Sequence, residues 1–345
     1  MKNYLMPAEW EKQEALLLCF PHNGNDWPGK YAAIQWAFVE YISTVAHFQK
    51  VLVVVKNLDT KNQLELKLKQ NHANINQIEY IIHPTNRSWM RDSGPIVVKN
   101  ENKKIALDFN FNGWAKYGNY HLDKRTPKTI ASHLNLDYEQ VLYKNKPFVL
   151  EGGAIEVNGK GTLLTTEECL LDKEIQVRNP NFTSKKNYEE VFDKYLGIKQ
   201  VIWLNKGIEG DDTHGHIDDL CRFIDEQTVV CVQESNAKDK NYTPLKENWE
   251  RLQNIFLHNG KKLTTITLPM PRPIWFDGMR LPASYANFII INDAVLVPTF
   301  NDKNDYKALG ILKDCFPTRE VIGIHSLDLI WGLGTLHCLS QQIPK

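Results

Sequence analysis

The order of elements recurs along this chain, and the recurrence limits its fold more than any single motif does. A polar loop comes first, then two short strand-like runs, a helical stretch and a further strand. After Asp92, Ile96–Lys99 and Ile105–Phe111 read as a strand pair, Thr129–Leu134 as a weak helix and Gln140–Tyr143 as the closing strand. After Glu151, Ala154–Val157 and Thr162–Thr165 flank Asn158-Gly159-Lys160-Gly161, a hairpin signal because Asn and Gly accept positive φ. Helix Lys186–Tyr195 and strand Gln200–Leu204 follow. After His216 and Asp218 come strands Leu220–Ile224 and Thr228–Val232, helix Pro244–Asn259 and strand Leu263–Leu268. After Asn287 come strands Phe288–Ile291 and Ala294–Pro298, helix Asp305–Cys315 and strand Glu320–Ile324, and the last loop carries Cys338. The intervals between these loop residues are 59, 65, 71 and 51 residues.

Weak periods of this size mark closed or stacked arrays. An open doubly wound sheet also alternates strands and helices. The strand pair before every helix favours the closed alternative: an α/β array of five pseudo-symmetric ββαβ modules, with its five loops at one end of a central pit. No linker, low-complexity tract or composition shift divides the sequence, so residues 1–345 are expected to form one catalytic domain.

Charge excludes some partners. Lys+Arg and Asp+Glu both total 41, which gives no general pull toward nucleic acid or an anionic membrane. The lysines of Lys61–Lys69 alternate with Glu65 and leucines and read as a solvated helix face. The six cysteines form no CxxC pair; Cys19, Cys221 and Cys231 lie in apolar runs, where cysteine behaves as a small hydrophobe. Residues Met1–Trp10 lack an apolar signal core, and no run is long enough to span a bilayer. These features predict a reduced, cytoplasmic location.

The densest polar cluster is Thr213-His214-Gly215-His216-Ile217-Asp218-Asp219. On an extended strand His214, His216 and Asp218 would share one face. That face would suit a metal-dependent hydrolase, but further ligands are missing and no HExxH motif occurs. The metal-free reading makes His216 an acid–base group beside the Asp218 carboxylate. Asp92, in Ser88-Trp89-Met90-Arg91-Asp92-Ser93-Gly94-Pro95, would serve equally as a turn cap, and Glu151, before Gly152-Gly153, as a loop charge. Trp27 and Trp114 occupy polar glycine-bearing loops, where an indole either stacks on a planar ligand or packs beneath the loop. Gly332-Leu333-Gly334-Thr335-Leu336-His337-Cys338 delivers a thiol on a glycine-flanked turn.

A thiol, a histidine and one carboxylate would suit acyl transfer by a cysteine hydrolase. Three acids, Asp92, Glu151 and Asp218, are too many for a neutral amide. Crowded carboxylates call for a cation, and a planar guanidinium matches them in bidentate geometry. The set suggests a guanidine attacked at its central carbon by Cys338.

Nearly end to end, the chain resembles the agmatine deiminase and bacterial peptidylarginine deiminase branch of the guanidine-modifying (pentein) superfamily. The resemblance is carried by Met6-Pro7-Ala8-Glu9-Trp10, Trp27, Trp89–Pro95, Glu151-Gly152-Gly153, Gly161–Leu171, Gly215-His216-Ile217-Asp218, Ser284–Phe288 and His337–Pro344. It implies a five-bladed α/β propeller and no metal or organic cofactor. It further implies that Asp92 and Asp218 clamp the guanidinium and that Cys338 forms a covalent amidino-cysteine. His216 would protonate the departing ammonia and then activate water, and Glu151 would orient His216. Asn287 matches a site asparagine and is expected among the substrate-binding pocket residues. His214 stands where a small amide or acid is expected, and Leu333 interrupts a triple-glycine run.

Agmatine, hydrolysed to N-carbamoylputrescine and ammonia, is the implied substrate, with peptidyl-arginine or another guanidine as the alternative. Its terminal amine calls for acids and aromatics, and Asp26, Trp27, Trp89 and Trp114 are the expected pocket residues. Free arginine would need an added cation for its carboxylate, and no dedicated one stands out in the sequence. A homo-oligomer is compatible with the sequence. A non-catalytic binding protein of the same fold would have no need of the joint set Asp92, Glu151, His216, Asp218 and Cys338.

Overall fold

The computed structural model describes residues 4–101 and 103–345; the first three residues of the N-terminal stretch lie outside this range. Five small sheets repeat one pattern, in which a first strand is antiparallel to a second and the second is parallel to a third. Blade two consists of Ile96–Asn100, Lys103–Asp108 and Asp137–Gln140. Blade three is Glu156–Val157, Thr162–Thr166 and Gln200–Leu204. Blade four is Cys221–Phe223, Thr228–Gln233 and Thr264–Pro269. Blade five is Ile289–Ile290, Ala294–Thr299 and Glu320–His325.

Blade one is made from both ends of the chain. Gln13–Cys19 runs parallel to Lys50–Val55, which runs parallel to Ile78–Ile82. The antiparallel partner of Gln13–Cys19 is Ser340–Pro344, in the pairs Leu18 with Ser340 and Leu16 with Gln342. The apolar clusters link successive blades. One joins blades one and two through Leu17, Val54, Val97 and Ile343, and another joins two and three through Leu107, Phe148 and Leu163. A third runs through blades three, four and five, and the last joins five to one through Leu296, Val53 and Leu339. The ring is therefore closed by packing as well as by strand pairing.

The helices follow local chemistry. Lys185–Leu196 begins where the Ser184 side chain accepts from the Asn187 N–H. It buries Tyr188, Val191, Phe192, Tyr195 and Leu196 on one face and stops at Gly197, whose φ of 73° is the left-handed conformation that ends helices. Asp305–Cys315 coincides with its expected bounds. The helix expected over Pro244–Asn259 instead spans Tyr242–Leu252. Beyond it Ile255-Phe256-Leu257 breaks the helical apolar spacing, and the chain turns at Gly260 with φ 81°. The strand expected at Gln140–Tyr143 lies earlier, at Asp137–Gln140, because this edge strand is mostly exposed and carries no apolar alternation to mark it. None of the described helices is long and apolar enough to cross a membrane.

Candidate active site

Asp92 sits in a one-turn helix, Met90–Ser93, held by contacts that leave its carboxylate little freedom. Oδ1 accepts the Gly153 N–H at 3.0 Å, and Oδ2 accepts the Trp114 indole N–H at 2.9 Å. Gly153 has to be glycine: a Cβ there would lie 2.5 Å from His216 Nδ1 and 2.9 Å from Asp92 Oδ1. His216 Nδ1 stands 4.0 Å from Asp92 Oδ1. Burial raises the Asp92 carboxyl to about 6, Asp218 and Glu151 adding to the rise while His216 opposes it. Burial alone would lower His216, but Asp92, Cys169 and Asp218 more than offset it and hold the imidazole well above its ordinary range.

The expected strand face at His214, His216 and Asp218 is absent. His214 and Gly215 have φ of 65° and 94°, and residues Ile217–Asp219 form a short 3-10 helix. The turn sends the three side chains to different places. His214 Nε2 meets Asp172 Oδ2 at 2.7 Å, His216 faces Asp92, and Asp218 Oδ2 meets His337 Nδ1 at 2.7 Å. The ligand set of the metal-hydrolase reading therefore does not converge, and that reading falls.

Glu151 is fully buried, with Oε1 taking the Arg178 Nε–H at 3.0 Å. Its other oxygen has no hydrogen-bond partner, nor has His216 Nε2. The Glu151 carboxylate, the Cys169 thiol and a His216 ring nitrogen lie within 4.8 Å of one another. Arg178 and Cys169 were not singled out by sequence reasoning. Cys169 lay inside the Gly161–Leu171 stretch, but Arg178 gave no signal.

Cys338 is 8% exposed and opens onto a cavity of about 340 Å³. Asn287 shapes its turn. The Asn287 side-chain oxygen accepts from the Thr335 hydroxyl at 2.7 Å and from the His337 N–H at 3.0 Å, while its amide donates to Cys338 Sγ and to Asp219 Oδ1, both at 3.0 Å. Asn287 thus holds the nucleophile's turn and does not line the cavity, contrary to its expected place among the pocket residues. Asp218 Oδ2 is 3.7 Å from Cys338 Sγ, and Asp218 Oδ1 is buried without a partner. Burial, together with Asp218, Asp219 and Asp92, pushes the Cys338 thiol well up; the Asn287 amide works against them. An arriving cation would reverse that balance and favour the thiolate.

Trp89, Trp114, Asp26, Arg87, Tyr117, Asp212 and Leu333 line the cavity along with Asp92 and Cys338. Trp27 does not. It is fully buried, donates its indole N–H to the Leu329 carbonyl and packs under Gly332, where a Cβ would lie 2.5 Å from the indole. The Trp27 loop is polar in sequence, but its ring belongs to the core. Asp26 reaches the mouth already paired, its Oδ1 2.9 Å from Arg87 Nη1. Arg87 also donates to Asn119 and lies over the rings of Tyr117 and Trp114, at 4.2 and 5.6 Å. The sequence showed no cation suited to a substrate carboxylate; the fold supplies one in Arg87, hidden beside the Trp89 motif. Leu333 lines the wall with φ 71°, a conformation that costs a non-glycine residue about 1–2 kcal/mol.

Relatives share this architecture throughout. The agmatine deiminase of Enterococcus faecalis is 30% identical with a TM-score of 0.90, each chain covering the other at 99% and 96%. The C. jejuni agmatine deiminase solved with substrate bound is 32% identical with a TM-score of 0.88, covering 99% and 96%. A Legionella pneumophila relative, whose agmatine deiminase name is itself provisional, is 34% identical over 99% of this chain and 95% of its own. An amidinotransferase from Microseira wollei, 12% identical with a TM-score of 0.56 over 98% and 96%, shares the fold alone. The family description matches residues 5–344, and the chain belongs to the Porphyromonas-type peptidyl-arginine deiminase family, hydrolases of guanidino groups.

Proposed function

We propose that this chain hydrolyses agmatine to N-carbamoylputrescine and ammonia, with residues 1–345 acting as one catalytic domain. The observation that carries the reading is the cavity of about 340 Å³ shared by the Cys338 thiol and the Asp92 carboxylate, with the free Asp218 Oδ1 beside them. Asp92 and Asp218 take the guanidinium nitrogens. The guanidinium charge lowers the cost of ionising Cys338, whose proton passes to solvent as the substrate enters. The thiolate attacks the guanidine carbon to give a tetrahedral adduct, the C=N electron pair passing to nitrogen. Its C–N bond breaks, and the nitrogen leaves as ammonia with a proton from His216, which is held protonated by Asp92, Cys169 and Asp218. A water then gives its proton to His216 and adds to the amidino-cysteine carbon. Collapse breaks the C–S bond, releasing the ureido product and the thiolate. Glu151, fixed by Arg178, stands behind His216 as its orienting group.

The four-carbon chain of agmatine would lie along Trp114, whose edge touches Asp92 and whose face underlies Arg87. The tail amine then arrives between Asp26 and Asp212, displacing Lys116 from the latter. Arg87 favours a second reading, an arginine-type substrate with a carboxylate or peptide carbonyl at the mouth, because its Nε–H is buried without an acceptor. The six described cysteines are all unpaired, which suits a cytoplasmic protein. Ammonia release is measured from agmatine, arginine and a blocked peptidyl-arginine, with Cys338→Ala as control. Agmatine turnover that vanishes in the variant is expected. Unchanged turnover by Cys338→Ala sinks the covalent route, and turnover of arginine or the peptide alone moves the assignment to the second reading.

A further inference from the structure

His337 precedes the nucleophile, and none of the chemistry above uses it. Its ring is buried, with Nδ1 2.7 Å from Asp218 Oδ2 and Nε2 2.9 Å from Glu9 Oε2. Both acids are held ionised. Burial opposes this, but apart from His337 itself Arg222 and Arg91 draw Glu9 toward its ionised form, and His216 and Arg222 do the same for Asp218. A neutral imidazole offers one N–H and one lone pair, so between two carboxylates one contact would set lone pair against lone pair. Only the ring with both nitrogens protonated satisfies both.

The other charges around the ring are accounted for. Arg222 donates to Glu9 Oε2 at 2.7 Å and to Glu156 Oε2 at 2.8 Å, and Arg91 stands 3.8 Å from Glu9 Oε2. Glu9 Oε1 accepts the Ile290 N–H at 2.6 Å, so this carboxylate is fixed from both sides.

We propose that His337 is a positioning residue for the reaction, a doubly protonated imidazole strung between Glu9 and Asp218 that sets where the Asp218 carboxylate points. With Oδ2 tied to His337, Oδ1 is the atom left for the substrate. Without the tie the carboxylate is free to rotate toward His216 or the thiol. The inference rests on the reading in which Asp218 binds the guanidinium, and it assigns the segment around Glu9 a part in catalysis without touching substrate.

The test uses the full chain labelled with nitrogen-15 in its histidines, the His337 signals being assigned by their loss in His337→Gln. At pH 7.5 both His337 nitrogens are expected in the protonated range. Glu9→Gln is expected to convert the ring to a neutral tautomer and to lower kcat/KM about 10–100-fold, as loss of an orienting partner does at metal sites. The loss appears mainly in KM, and Glu9→Asp, which keeps the charge, restores part of it. A singly protonated ring in the wild type overturns the proposal, and so does a folded Glu9→Gln protein with wild-type kcat/KM. The spectrum of the wild type needs no turnover, so it decides the ring state even where Glu9→Gln does not fold, and failure of the substrate assignment leaves it standing.

Discussion

Two ionic clusters lie buried near the centre of the ring, and they are built on opposite rules. In the cluster around Arg222, Nε and Nη2 donate to Glu156 and Glu9, and Nη1 donates to the Phe288 and Ala286 carbonyls. The remaining carboxylate oxygens accept the Phe223 and Ile290 N–H groups. Around Cys338 the opposite holds: Asp218 Oδ1, Glu151 Oε2 and His216 Nε2 are buried without partners, and Asp92, Asp219 and the thiol all titrate high. A saturated cluster holds blades together. An unsaturated one reserves its hydrogen bonds for a molecule that arrives later, and the fold bears the desolvation in the meantime.

The contrast breaks first at Arg222. Arg222→Met takes from Glu9 one of its cations and leaves Glu156 buried without an ion-pair partner, and unfolding experiments should show a loss of about 3–5 kcal/mol. Gly153→Ala should keep the fold but displace His216 or Asp92, lowering kcat about 100-fold in steady-state assays, the scale of a 1 Å misplacement. Asp92→Asn should lower kcat/KM about 10–100-fold, the worth of a charged hydrogen bond. Its melting temperature at pH 8 should not fall, because the raised carboxyl costs the wild type stability as pH climbs from 3.8 to about 6, and that loss stands in full at higher pH. The same sign gives a pH effect on binding. KM for the guanidine should rise about tenfold per unit as pH drops below about 6, since protonated Asp92 offers no charge, and the rise should be weaker in Asp92→Asn. Arg87→Leu is the mildest change: a several-fold gain in kcat/KM for agmatine and a loss for arginine would show that the mouth selects by charge. No change in the ratio would place Arg87 outside specificity.

The sequence was most legible where local rules act alone. The module order, the helix bounds at Asp305–Cys315 and the Asn158–Gly161 hairpin all follow from periodicity and turn residues. It was least legible where two distant segments meet. His214 looked like a partner of His216 because alternation assumes a strand, and a left-handed turn cancels alternation. Trp27 looked like a pocket residue because its neighbours are polar, yet its ring lies under Gly332. Arg87 and Arg178 acquire meaning only from Asp26 and Glu151, 61 and 27 residues away. Glu9 and His337, 328 residues apart, are the extreme case.

Ser340–Pro344 completes blade one only two residues after the nucleophile. Cys338 is therefore held against its carboxylates by the same strand that joins the first and last segments of the ring. Any loosening of that strand from Gln13–Cys19 would release the nucleophile's turn together with the ring closure. The site is thereby coupled to the integrity of the ring, and the closing strand is the coupling element.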